Sequence, residues 1–336
     1  MATIWDVAKL AGVSKSTVSR VMNNGSTSPE SRKAVLSAVE KLNYHPSYFA
    51  KNIRTQKSMT IAFMIPDASN LFYTEMFKAI EKVALKQEYM VTLCDTQNSP
   101  KYELKYAEKL IQRKIDGLIY CTYKVDKTSQ DYFTNLSKTL PIVFVDNFYR
   151  AVENISVVAT EGLRSSRDAV KFLYHNGKRK IAYINFPVDA QVTAHRYEGY
   201  RRGLDACGLS FDESLVYFPG PIEEINVRSI GYYGAKELMS SCENIDAIMV
   251  AADPLAIGAM KYLKQQGIKI PSEVSIIGFD NSEICEIVEP NLTTIAQPIN
   301  EIGTAAAKIL LNKINGIHNA KERVFFEGEL IQRDST

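Results

Sequence analysis

Histidine and tryptophan are scarce in this 336-residue chain, with four of the first and one of the second. His45, His175, His195 and His318 fall at no metal-ligand spacing, and a single imidazole beside Arg196 is not a catalytic apparatus. The sequence contains no Walker loop, no G-x-G-x-x-G and no G-x-S-x-G. P-loop chemistry, dinucleotide binding and nucleophile-elbow hydrolysis therefore have no support, and neither enzymatic activity nor a metal or cofactor is expected. The five cysteines, Cys94, Cys121, Cys207, Cys242 and Cys285, are scattered and odd in number. They fit small buried side chains in a reducing compartment better than a disulfide framework. No apolar run approaches the roughly 18 residues of a membrane span. The N-terminus enters charged helical sequence at once, so neither membrane attachment nor a secretory signal is expected, and a cytoplasmic location is.

What is present is the composition of a soluble globular protein, 46% hydrophobic and 23% charged. The length exceeds one ordinary core and suits a small head with a two-lobed body. Charge is unevenly placed. Through Ser58 there are nine Lys or Arg against three Asp or Glu, a net of +6; the whole chain is +2, which leaves −4 for the remainder. A basic head on an acidic body points to a polyanionic partner for the head.

Periodicity in that head predicts three short helices. Ile4, Val7, Ala8 and Ala11 form one apolar stripe, ended by Gly12. Ser14 is a natural N-cap for a second helix whose inward residues are Val18, Val21 and Met22, leaving Lys15, Ser16, Ser19 and Arg20 outward. Ser28 and Pro29 open a third, with Glu30 against its N-terminal dipole and Val35, Leu36, Val39 and Leu42 inward. Past Lys57, short apolar runs alternate with amphipathic stretches. Strands are expected at Thr60 to Ile65, Met90 to Cys94, Gly117 to Tyr120, Ile142 to Val145, Lys180 to Ile184, Ala247 to Val250 and Val274 to Phe279. Helices are expected at Thr74 to Glu88, Tyr102 to Arg113, Gly162 to Asn176 and Pro254 to Gln266. The alternation predicts an α/β body of two doubly wound parallel-sheet lobes, with a ligand cleft beyond the strand C-termini.

The run D-V-A-x-x-A-G-V-S-x-x-T-V-S-R-V-x-N, followed by S-P-E-S-R and L-N-Y-x-P, resembles the DNA-binding head of the lactose/galactose repressor family of transcriptional regulators. The resemblance continues through Pro66 to Tyr73, Asp116 to Ile119, Gly177 to Ala182, Arg196 to Tyr200, Ala256 to Ala259, Ile277 to Asp280, Leu292 to Ile295 and Leu330 to Thr336, in family order over essentially the whole chain. It implies a helix-turn-helix head at 1–46, a hinge at 47–58 and a periplasmic-binding-protein-like body at 59–336. It also implies three crossovers, giving a first lobe of about 59–160 and 297–325 and a second of about 163–294 and 328–336.

Carried residue by residue, the resemblance assigns base contacts to Lys15, Ser16 and Arg20, and phosphate contacts to Ser14, Thr17, Ser19, Asn23 and Ser28. Short hydroxyls at these positions also serve as helix caps. Ile53 takes the place of the family's minor-groove leucine, with Ala50, Lys51 and Arg54 around it. The effector cleft would draw on Asp67, Asn70, Phe72, Tyr73, Asp146, Arg196 and Asp280; caps and core packing are the plain alternative for Phe72 and Tyr73. Ala252 stands where many sugar-sensing relatives have Asn, Asn147 where Arg is common, and Glu161-Gly162 where Asp-Asn is usual, so the ligand is read differently here. The expected partners are a palindromic double-stranded operator, a second copy of the chain, and a small effector, a carbohydrate or sugar phosphate. One alternative is a catabolite-control-type regulator with a phosphorylated phosphocarrier protein as corepressor. An alternative of another class is a sugar-binding or sugar-processing protein without a DNA role.

Overall fold

Thr3 starts the regular structure: its hydroxyl accepts the Asp6 N–H and its own N–H donates to the Asp6 carboxylate at 2.8 Å, a capping box that opens α1 (Ile4–Ala11). The computed structural model describes residues 2–44, 57–123, 127–146, 155–187, 193–220, 227–317 and 322–336. The chain divides into two units, Met1–Ser58 and Met59–Thr336.

In the first unit Gly12 closes α1 at φ +65°, a left-handed position that its missing Cβ makes free of strain. Ser14 then caps α2 (Lys15–Met22), and Ser28 with Pro29 opens α3 (Pro29–Lys41). Val7, Ala8, Val18, Val21, Val35 and Ala38 form the core. The expected inward position of Leu36 is wrong: Leu36 is 51% exposed, and Ala38 is buried instead. From Val35 the inward row of α3 runs through Ala38 to Leu42, and one residue past Val35 is already about 100° round the helix.

The second unit holds two six-stranded sheets. The first has the order β11-β5-β4-β3-β1-β2, with β1 (Thr60–Ile65), β2 (Met90–Asp95), β3 (Gly117–Tyr120), β4 (Ile142–Val145), β5 (Ser156–Glu161) and β11 (Arg323–Glu327), all pairing in parallel. The second has the order β12-β10-β9-β8-β6-β7, with β6 (Ile181–Ile184), β7 (Val216–Tyr217), β8 (Ala247–Val250), β9 (Ser275–Asp280), β10 (Thr293–Ala296) and β12 (Glu329–Ile331). Only the β10–β12 edge is antiparallel. Central strands such as β3, β4, β6 and β8 are buried along their whole length, as parallel strands covered on both faces must be.

Helices α4 (Leu71–Leu85), α5 (Pro100–Gln112), α6 (Lys127–Leu136) and α11 (Ile299–Ile314) belong to the first sheet's lobe. Helices α7 (Gly162–His175), α8 (Ala194–Ala206), α9 (Val227–Ser241) and α10 (Asp253–Gln265) cover the second. The chain changes lobe between β5 and α7, between β10 and α11, and between β11 and β12. Helix α4 begins at Leu71, three residues before its expected start, because Asn70 caps it by accepting the Phe72 N–H at 3.1 Å. Among the described residues no helix is long and apolar enough to cross a membrane.

Candidate functional site

On the head, Lys15, Ser16 and Arg20 are exposed on α2. The nearby hydroxyls already have work to do within the fold. Ser14 Oγ accepts the Thr17 N–H at 3.1 Å and lies 2.7 Å from Ser16 Oγ. Ser28 Oγ accepts the Ser31 N–H at 3.2 Å, and Asn23 Nδ2 donates to the Ser19 carbonyl at 2.7 Å. These groups act as caps, and the Ser28 hydroxyl also donates to Ser31 Oγ at 3.1 Å. Thr17 and Ser19 are half-buried. The hinge residues Ala50, Lys51, Ile53 and Arg54 lie outside the described residues.

In the body, a cavity of ≈ 1040 Å³ opens beyond the C-terminal ends of the strands, with Asp67, Asn70, Asn98 and Lys101 from the first lobe and Arg228 and Pro254 from the second on its walls. Asp67 Oδ1 accepts the Ser69 N–H at 2.8 Å, which shapes the loop after β1. Asn70 turns its amide the other way, donating to the Tyr123 hydroxyl at 2.7 Å. Tyr123 in turn stacks on Phe186 of the opposite lobe, ring centroids 5.1 Å apart.

A buried polar centre joins the two lobes' strand ends. Arg196, 7% exposed, donates to the Ala251 carbonyl at 2.6 Å and stands 3.6 Å from Asp280 Oδ1, with its guanidinium 3.9 Å over the Phe279 ring. Asp280 also accepts from Gln297 Nε2 at 2.7 Å. Its backbone has φ +128°, a conformation that costs a non-glycine residue about 1–3 kcal/mol and is held by the surrounding structure. Asp146, buried at φ +57°, feels the charge of the same guanidinium. Burial pushes the carboxyls of Asp280 and Asp146 above the ordinary carboxylate range, and Arg196 offsets only part of that. Asp253 is raised by burial as well, although it accepts from Thr294 Oγ1 at 2.6 Å and from the Ser282 N–H at 2.9 Å. Arg196 therefore serves two of these buried carboxyls, Asp280 and Asp146, while Asp253 is held by neutral donors. Gln297 Oε1, Tyr183 Oη and Thr160 Oγ1 are buried without a hydrogen-bond partner among the described residues. Unpaired buried polar atoms are costly.

Two expected cleft residues sit elsewhere. Phe72 and Tyr73 are each 2% exposed in the first-lobe core, edge to face at 5.1 Å, because the inward face of α4 turns them under the sheet. Tyr73 packs against Tyr123, at 5.8 Å between centroids. Tyr123, Phe186 and Gln297 are not among the residues expected from the sequence. Each follows the C-terminal end of a strand, β3, β6 and β10, and that position was the available signal.

Residues 3–47 match the model of the bacterial regulatory proteins of the lacI family, and residues 170–336 match that of a periplasmic binding protein-like domain. The chain is 33% identical over 338 residues to the HTH-type transcriptional regulator DegA of Bacillus subtilis (strain 168), covering 99% of this chain and 98% of that one. It is 33% identical over 337 residues to the ribose operon repressor of Halalkalibacterium halodurans, covering 100% and 97%. Its fold superposes on a transcriptional regulator CelR-cellobiose complex with a TM-score of 0.76 and 26% identity, both chains covered in full. A capped helix pair with a bare polar face, joined in one chain to a bilobal body closed over a polar centre, thus coincides with end-to-end similarity to named regulators: the chain belongs to the lacI family of DNA-binding transcriptional regulators.

Proposed function

We propose that this regulator reads a palindromic operator in the cytoplasm as a homodimer and changes its operator affinity when a neutral carbohydrate enters between the lobes. The observation that carries the effector class is the imbalance at the polar centre, where the Arg196 guanidinium stands against two buried carboxyls, Asp280 and Asp146. A buried phosphate would add charge of the wrong sign beside these two carboxyls. Sugar hydroxyls instead supply a donor for Gln297 Oε1, which has no partner among the described residues, and an apolar ring face for Tyr123 and Phe186. Asp67 and Asn70 would contact the ligand from the first-lobe wall.

Base contacts fall to Lys15, Ser16 and Arg20, since Arg and Lys suit the guanine acceptor edge and Ser serves several bases. Ser14, Thr17, Ser19, Asn23 and Ser28 position the backbone, and Ala50, Lys51, Ile53 and Arg54 form the minor-groove hinge. One head offers few contacts, so useful affinity calls for two. Exposed apolar side chains support a body dimer: Leu85 and Met90 near the unpaired β2 edge, at 69% and 72%, and Ile287 on the second lobe, at 67%.

The test is a thermal-shift screen of the full chain against neutral sugars and their phosphate esters, followed by titration of an operator obtained by DNA selection with each hit. Stabilisation by a neutral sugar that also changes operator affinity is expected. Stabilisation by phosphate esters alone, or ligands without effect on DNA binding, would overturn the effector reading.

A further inference from the structure

The chain's one tryptophan stands in the open: Trp5, the second residue of α1, is 65% exposed. Such a ring is ordinarily an anchor against something, since its apolar faces gain by leaving water. One face already has a companion. The Lys15 ammonium lies 5.1 Å from the centroid of the Trp5 ring. No carboxylate among the described residues pairs with Lys15, so the aromatic face is the contact that sets where this cation goes.

Both partners are held at their roots. Trp5 sits in the turn fixed by the Thr3–Asp6 capping box, and Lys15 is the first residue of the helix capped by Ser14. The Lys15 side chain reaches the Trp5 ring from the first turn of α2, which is where base contacts are proposed. A lysine there carries a flexible stem with several rotatable bonds, which makes an imprecise reader unless something limits its rotamers.

We propose that Trp5 is the positioning residue of the DNA-reading surface, holding the Lys15 ammonium over its ring so that the cation meets one base edge in a fixed direction. An exposed cation–π contact shifts an equilibrium only about two- to fivefold. Its consequence is larger in discrimination than in affinity, because it removes the orientations in which Lys15 would accept any base or a phosphate. The proposal rests on base reading by the first turn of α2, and its test separates the two.

Full-length wild type, Trp5→Phe, Trp5→Ala, Lys15→Ala and the Trp5→Ala/Lys15→Ala double variant each select duplexes from a random pool. Each is then titrated with the wild-type site and a scrambled duplex at several salt concentrations. Wild type and Trp5→Phe are expected to select one motif. Trp5→Ala should lose information at the half-site position that Lys15→Ala also loses, with discrimination falling about tenfold, and the double variant should lose no more than Lys15→Ala alone. The salt slope should stay unchanged in Trp5→Ala, since no phosphate contact is removed. Trp5 emission in the free protein, unambiguous with one Trp, should shift on Lys15→Ala. The proposal falls if Trp5→Ala keeps the full motif. It falls equally if Trp5→Ala loses specific and scrambled binding together with a changed salt slope, the mark of a damaged head. A wild-type chain that selects no motif would bring down the base-reading assignment itself.

Discussion

Tyr123 of the first lobe lies nearly flat on Phe186 of the second, with planes 26° from parallel and centroids 5.1 Å apart. The pair occupies the space where the strand ends of the two sheets converge, and the Tyr123 hydroxyl is tied to the cavity wall by Asn70. With so small a separation no ring fits between them, so a ligand that uses these faces must first part the lobes. The ring pair is thus an internal contact that such a ligand has to replace. A ligand changes the balance between two forms only by binding them unequally.

Phe186→Ala should destabilise the body by about 3 kcal/mol, because a ring 2% exposed leaves a cavity between lobes rather than a gap that one core can close around. Denaturant titration of the full chain measures it. An unchanged midpoint would show that the ring pair contributes nothing to closure.

Asp280→Asn should change how stability depends on pH. Burial raises the Asp280 carboxyl above its ordinary value of 3.8, so the folded form holds this proton more tightly than the unfolded one. Stability from this group is present at low pH and falls as pH rises from about 4 through the raised folded value. The melting-temperature difference of Asp280→Asn minus wild type should therefore increase from pH 4 to pH 8. A difference that is flat or shrinks would contradict the assigned direction.

Arg20→Ala should abolish preference for operator over scrambled duplex, a loss of roughly 10- to 100-fold, while leaving thermal stability and effector binding intact. Arg20 is exposed at the end of α2 and belongs to no core contact, so folding has no need of it. Unaltered discrimination would remove it from the base-reading set.

Gly258→Ala should cost about 3 kcal/mol or more, since a Cβ there would meet the Arg228 carbonyl and the Tyr232 backbone nitrogen. Helices α9 and α10 cross at this glycine and at Gly231, and they carry Arg228 and Pro254 to the cavity wall. Urea midpoints and effector affinity should fall together. A stable variant would show that the crossing can open without cost.

The sequence by itself determined the local architecture. Caps such as Thr3, Ser14 and Ser28 act within one helical turn, and fully apolar strands such as Ile142 to Val145 declare burial on both faces. Of the residues named from motif position, Arg196 and Asp280 lie 3.6 Å apart and buried, and Asp146 feels the charge of that guanidinium. The short edge strand at Val216 and the antiparallel return at Glu329 were beyond it, because two or three residues carry no period. Tertiary structure alone decided which side of α4 Phe72 and Tyr73 face, why Ala38 rather than Leu36 is inward, and that Tyr123 meets Phe186 across the cleft. Such pairings join residues far apart in the chain, and no local spacing encodes the direction from which a second lobe arrives.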